Sequence, residues 1–436
     1  MKPTLNPRIS ISYTLLLALI TVLLLSGFIT NFLSFTSLGL GTIIVDLLIG
    51  LLLTYTVLTL LFRYFSRIKV NREYLFFAAF WFLLLLFTLG KIMLIDENPI
   101  RERILGLRNN LLYCLPILYV PLLIQSEKHV QKSVRVLLGL GLALCLYAMF
   151  QFFFASNLPL SFLVLRGEGA FRFYDQEITR PTALVGNTII FSSFTLLLFC
   201  LYFSNYLIHK KRLYLLIVGI VLTTNIMTFT RATLAGIFLS GGVILILNYG
   251  RFTLLYTLKL LFAFIILLSS ILFLGYLYKD SFLVKRITSR EASTIHSDQG
   301  HFSMIENSIS YLKEHYLVGS GIGSQGPSSN PETVIITDGY WFQLFLENGL
   351  LLGFFYVTFY FLCFYYVLQA YFKSKNDHLR YLCLAFIGIS VYFYAASFFN
   401  SAFIGRINFI LYWILFGLIM AQRLILKKND NAALSH

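Results

Sequence analysis

Apolar stretches of about twenty residues, each closed by charged residues, recur along nearly the whole chain, and no other feature narrows its fold as much. A helix needs about twenty apolar residues to cross a bilayer, since each residue rises ~1.5 Å through a hydrocarbon layer ~30 Å thick. Such stretches lie near residues 11–30, 40–62, 74–95, 109–125, 134–156, 185–207, 213–230, 232–249, 252–277, 339–371, 379–399 and 407–425. Backbone groups in hydrocarbon must bond within their own segment, so each stretch predicts a helix. The fold class that follows is an all-α integral membrane protein with about twelve transmembrane helices. Charged residues make up 12% of the chain, against about 25% in soluble domains. The 339–371 stretch is too long for one crossing, so it must begin outside the hydrocarbon, tilt or break. The two stretches that meet at Thr230–Arg231 have almost no connection between them.

Charge placement orients the helices. Lys and Arg accumulate on the cytoplasmic side of membrane proteins. With both termini in the cytoplasm, the inner connections hold twenty Lys and Arg and four acidic residues. Counting charged residues within a stretch towards the nearer end, the outer side holds fourteen of each, and Asp46 is left within a span. The net charge of +15 then faces inward, which removes the nucleic-acid partner that such a charge suggests in a soluble protein. Cys114, Cys145, Cys200, Cys363 and Cys383 fall inside apolar segments without CxxC spacing and read as buried small hydrophobes. The first apolar run is long enough to span, and no small-residue cleavage site follows it, so it is expected to stay in the membrane.

The expected organisation is nine helices in residues 1–277, an extracytoplasmic loop at 278–338, three helices in 339–425 and a cytoplasmic tail at 426–436. Long loops of this kind are uncommon and often functional. Within it, Phe302, Ile305, Ile309, Leu312 and Tyr316 recur at helical spacing and predict an amphipathic helix from about His301. Gly319, Gly321 and Gly323 follow as a tight turn; no strand precedes them and their spacing is not that of a dinucleotide fingerprint.

The candidate site residues gather on the outer side. Arg231, in Thr-Phe-Thr-Arg, lies between two apolar runs, where an ionisable group is costly and faces a cavity or a partner; the plainer reading is a helix-end arginine reaching the interface. Arg286 and Arg290 are four apart and share a helical face or a solvated patch. With Arg180 and Arg406 they make a set of guanidinium groups suited to a phosphate or pyrophosphate, which arginine binds bidentately. Asp338 precedes the next span, either as a helix cap or as a carboxylate base at a cavity rim. Tyr340 and Trp341 are placed to stack on a sugar or to sit in the interfacial aromatic belt. No Asp-x-Asp or His-rich set has metal-binding spacing.

Together the Thr-Phe-Thr-Arg231 turn, Arg286 and Arg290 opening a long loop, and a glycine turn before the next span resemble the O-antigen ligase/polymerase superfamily of bacterial polysaccharide assembly. The resemblance covers roughly residues 180–410. The ligases carry His followed by Asn, Ser or Gln, nine residues, then Gly-x-x-Thr-Gly. Here Asp338-Gly339, nine residues and Gly349-Leu350-Leu351-Leu352-Gly353 keep the spacing, with Asp338 for the histidine and Leu352 for the threonine. That departure is more like the O-antigen polymerases (Wzy type), although His296 and His301 stand nearby as substitutes. The resemblance implies a GT-C-like, metal- and cofactor-independent glycosyltransferase in the bacterial inner membrane, with its active site facing the periplasm. Its donor would be a polyprenyl-pyrophosphate-linked oligosaccharide. Catalytic roles would fall to Asp338, Arg286 and Arg231, and substrate binding to Arg290, Arg180, Arg406, Tyr340, Trp341 and His301. Membrane lipid and a chain-length regulator protein are the implied partners. The alternatives are an O-antigen ligase acting on lipid A core and a polysaccharide flippase. A flippase predicts an internal repeat and midplane polar residues; no repeat is evident, and Asp46, Asn225 and Lys259 are the few such polar residues.

Overall fold

The computed structural model describes residues 11–32, 40–66, 70–163, 172–173, 176–249, 292–325 and 339–434. The helices in chain order are α1 Ile11–Phe32, α2 Leu40–Phe65, α3 Arg72–Leu94, α4 Ile100–Asn110, α5 Pro116–Leu123, α6 Glu127–Phe154, α7 Leu160–Leu163, α8 Thr188–His209, α9 Arg212–Met227, α10 Arg231–Tyr249, α11 Ala292–Glu314, α12 Tyr340–Lys373, α13 Asp377–Ala396 and α14 Arg406–Leu434. A two-stranded antiparallel hairpin, β1 Arg172–Phe173 and β2 Gln176–Thr179, is an addition to the all-helical expectation. Among the described residues nine helices are long and apolar enough to cross a membrane, and α9 is a shorter apolar one. The protein is an all-α integral membrane protein. The expected span at 252–277 lies outside the described residues.

α8, α13 and α14 form the centre, with most of their side chains buried, while one face of α2, α3 and α10 is exposed and apolar. That arrangement is what a bundle in lipid requires: helices buried in protein at the middle, and apolar side chains turned outward at the periphery. The two ends of the bundle differ. At the basic end, Tyr13 at the start of α1 stacks on His129 at the start of α6, with ring centroids 4.4 Å apart. At the same end Glu73, at the start of α3, pairs with Arg423 at 3.5 Å and with Lys427 near the end of α14. The opposite end, here termed the loop end, holds the glycine turn and the starts of α10 and α14.

One expected crossing is corrected. α3 finishes at the loop end and α6 begins at the basic end, so the chain between them traverses the bundle. It does so as two short helices, α4 and α5, joined by a 3-10 turn at Leu112–Cys114. The expected continuous span at 109–125 is therefore broken. The residues explain the break: Asn109 and Asn110 favour helix ends, and Pro116 lacks the N–H that would continue α4 but suits the first position of α5. Broken backbone at membrane depth persists only where protein or a polar cavity surrounds it; here Tyr113, Cys114 and Leu115 are buried. Asp46 of α2 is met at the same place. Arg108 NH1 lies 3.2 Å from its carboxylate and the Tyr113 hydroxyl donates to it at 3.1 Å.

The overlong 339–371 stretch breaks rather than tilts. Gly349, inside α12, has φ +71° and ψ 175°. Phe345 packs edge-on against Phe354, and the Tyr340 and Tyr360 hydroxyls share a hydrogen bond of 2.6 Å. These pairings make α12 a helical hairpin: a half-helix, 340–348, folds back antiparallel along the first turns of 350–373. α11 begins nine residues before the expected His301, and Phe302, Ile309 and Tyr316 remain exposed.

Candidate functional site

The loop end is assembled around two tight structures, and each answers a sequence motif. The first is the Thr228–Thr230 turn between α9 and α10. Thr228 caps the end of α9, and its hydroxyl donates to the Asn225 carbonyl at 2.6 Å. Asn225 Nδ2 in turn donates to the Ser192 carbonyl at 2.9 Å and to Thr195 Oγ1 at 2.7 Å, and Thr233 donates to its Oδ1 at 3.2 Å. The threonines of the motif therefore hold a near-zero-length connection in place, and Asn225 is engaged in that frame. Asn225→Ala is expected to remove three buried hydrogen bonds that tie α9 to α8 and α10 and to cost about 1–3 kcal/mol, read as a lower unfolding temperature in detergent.

Arg180 binds this turn directly. Its Nε donates to the Thr228 carbonyl at 2.7 Å and its NH2 to Thr230 Oγ1 at 2.9 Å. Arg231 is the first residue of α10, immediately after the turn. Two guanidinium-bearing residues thus meet at a helix start, where the backbone is already the positive pole of the dipole. The segment following Arg180 crosses to α1, where the Phe28 N–H donates to the Leu184 carbonyl at 3.0 Å. It then enters α8, and Ile190 reaches the first turn of α14: the Asn408 side-chain amide donates to the Ile190 carbonyl at 3.2 Å. Arg406, the first residue of α14, donates to Ser26 Oγ at 3.1 Å. The structure therefore joins Arg180 to Arg231 and connects them to Arg406 through one continuous segment at the same end. Arg286, Arg290 and Asp338 lie outside the described residues, and His301 is on α11 with its side chain undescribed.

Tyr340 and Trp341 are placed differently from either expectation. Tyr340 is fully buried and packs with Tyr360 and Phe403; Trp341 donates from Nε1 to the Tyr394 carbonyl at 2.8 Å. Both rings belong to the aromatic core under the half-helix, and neither forms an interfacial belt nor offers a face to a sugar. The cap of α12 is Gly339, without a side-chain cap bond, while Thr337 and Asp338 lie outside the described residues. The Tyr340 N–H donates to Asn400 and that of Trp341 to Ser397, which seats the start of the half-helix on the turn leading to Arg406.

The second tight structure is the glycine turn. Gly319, Gly321 and Gly323 all have positive φ. The turn docks on two neighbours. Ser320 N–H donates to the Leu346 carbonyl at 2.6 Å, and Leu350 N–H donates to the Tyr316 carbonyl at 2.8 Å, across the reversal at Gly349. On its other side the Ile322 N–H donates to Asp96 at 2.9 Å and Asn98 donates to the Ile322 carbonyl at 2.9 Å. Asp96 is itself ion-paired with buried Lys91. The long loop is therefore anchored where the α12 hairpin meets α4.

Sequence reasoning passed over the residue at that junction. Glu347 is 1% exposed. Its carboxylate accepts from Asn110 Nδ2 at 2.7 Å, Gln343 Nε2 at 3.1 Å and the Gln325 N–H at 3.3 Å. The signal was present, since Gln343 and Glu347 are one helical turn apart within an otherwise apolar run. A cavity of about 620 Å³ lies at the basic end, lined by Lys373, Lys375, Arg423 and Lys427; it is at the far end of the bundle from Arg180, Arg231 and Arg406.

No curated protein matches the chain. A family model described as O-antigen ligase matches residues 213–357. That segment runs from α9 through the Arg231 turn, the long loop and the α12 reversal, so it takes in both tight structures of the loop end, and over these residues the chain is similar to the O-antigen ligase family.

Proposed function

We propose that this protein is a surface-polysaccharide (O-antigen) polymerase of the inner membrane, joining polyprenyl-pyrophosphate-linked repeat units at a loop end that faces the periplasm. The observation that carries the reading is the pair Arg180 and Arg231 at the α9–α10 turn, within a segment matching the O-antigen ligase model. In the reaction, an acceptor sugar hydroxyl attacks the anomeric carbon of the donor. The new C–O glycosidic bond forms as the bond from that carbon to the pyrophosphate oxygen breaks, and the leaving pyrophosphate departs with the electron pair. Its growing negative charge is met by arginine, with Arg231, Arg286 and Arg290 first and Arg180 and Arg406 beside them. Fixed cations aimed at developing charge are the most effective form of such stabilisation. Asp338 accepts the proton of the acceptor hydroxyl as general base. The activated sugar brings its own leaving group, so the reaction requires no metal or nucleotide.

The description of the matching model favours a second reading, ligation of the finished glycan to lipid A core. Asp338 in place of the ligase histidine supports polymerisation. Reconstitution with a polyprenyl-pyrophosphate oligosaccharide separates the two. A ladder of products without lipid A core is the expected result. A product only with core establishes the ligase, and no product under either condition removes both.

A further inference from the structure

We propose that Glu347, Asn110 and Gln325 form a buried site for a single monovalent metal cation, sodium by its ligand chemistry, which locks the α12 hairpin, the broken α4–α5 crossing and the glycine turn together. The first observation is an excess of acceptors. Glu347, Asn110 and Gln325 are 1%, 2% and 3% exposed. Asn110 Oδ1 and Gln325 Oε1 are both buried without a hydrogen-bond partner. Each belongs to a residue already bonded to the Glu347 carboxylate, Asn110 through its side chain and Gln325 through its backbone N–H. The Asn110 oxygen therefore sits on the same planar amide that faces the carboxylate. Exchanging the Asn110 amide atoms does not relieve the excess, because Oδ1 then opposes a carboxylate oxygen with nothing between them.

The second observation is independent of the side chains. α4 ends at Asn110, and the half-helix of α12 ends at the Gly349 reversal, directly after Glu347 and Asn348. Two helix C-termini, the negative poles of their dipoles, converge on one carboxylate, and that arrangement favours a cation. Broken helices whose C-terminal ends and freed carbonyls meet at a carboxylate are a recurring way to coordinate small cations inside membrane proteins. Among the described residues Glu347 has no ion pair; nearby Lys91 is committed to Asp96.

The ligand class follows from charge and hardness. All the available donors are oxygens, which suits hard cations rather than zinc or copper. One carboxylate with neutral amide oxygens balances a single positive charge, whereas calcium sites recruit several carboxylates. The site is structural: it lies on the anchoring side of the hairpin, and the proposed glycosyl transfer does not involve it.

The test uses the full-length protein in detergent, with sodium, potassium or choline chloride at constant ionic strength. Sodium is expected to raise the unfolding midpoint saturably by about 2–5 °C over choline, and the protein should retain ²²Na⁺ in a filter-binding assay. Glu347→Gln removes the charge but keeps the shape, and it should abolish ²²Na⁺ retention. Gln325→Ala, which removes the carboxamide with its unpartnered oxygen but leaves the backbone N–H bond to Glu347, should weaken retention several-fold without loss of fold. If Glu347→Gln fails to fold, wild type and Gln325→Ala still decide. Equal midpoints in all three salts with no retained ²²Na⁺ overturn the proposal.

Discussion

Replacing Arg231 with alanine is expected to reduce glycan transfer by about 10²–10³-fold, the loss typical of removing one preorganised charge-stabilising group from a transition state, while the protein still accumulates in the membrane. The position supports a loss of chemistry rather than of fold. The α9–α10 turn is held by Thr228, Thr230, Thr233 and Asn225, and Arg180 bonds the turn through Thr228 and Thr230. None of those bonds uses the Arg231 side chain. Arg231 heads α10, where the positive pole of the helix dipole favours a bound anion. Arg231→Lys keeps the charge but loses the planar fork, and it should recover only part of the activity. The measurement is polymer length on a gel, set against membrane abundance by immunoblot. Normal-length polymer from Arg231→Ala and from Arg286→Ala would remove the pyrophosphate site from this end.

Gly349→Val should be the most damaging substitution for folding. Gly349 lies at φ +71°, ψ 175°, a region essentially restricted to glycine and costing other residues about 1–3 kcal/mol. A Cβ there would lie 2.7 Å from the Leu317 carbonyl carbon and 2.8 Å from that of Val318, so backbone of the glycine turn must move as well, adding about 1–3 kcal/mol. The expected outcome is a loss of roughly 3 kcal/mol or more, with little monodisperse protein after extraction. Gly50→Ala is the control. Nothing lies within 4 Å of a Cβ at Gly50, and in mid-helix alanine is preferred, so that variant should equal or slightly exceed wild type. Wild-type yield and unfolding temperature from Gly349→Val would contradict the hairpin.

These two residues show where the sequence was informative. The period of apolar runs determined the membrane class and most of the helices, because a helix in hydrocarbon satisfies its own backbone whatever its neighbours do. Residue type and spacing also marked Arg231, Arg180 and Arg406, since a charge at the edge of an apolar run needs a reason wherever the run packs. The length of the 339–371 stretch showed that it could not be one plain crossing, but left an outside start, a tilt and a break equally open; the φ of Gly349 decides for the break.

What the sequence could not supply were relations between segments far apart in the chain. The 109–125 stretch is apolar enough to span; Asn109, Asn110 and Pro116 favour a break locally, but what shelters the broken backbone is distant in sequence, as with Glu347, 237 residues from its partner Asn110. Tyr340 and Trp341 have the composition of an interfacial belt or a sugar platform; only the fold-back at Gly349 turns them inward onto Tyr360 and Tyr394. Glu347 was hidden by the same reversal, since a carboxylate in an apolar run is buried or exposed according to which helix faces it. Helix formation is local and is written in consecutive residues. The burial of a polar group depends on partners brought together by packing, and for the junction of α4, the glycine turn and the α12 hairpin only the tertiary structure decided it.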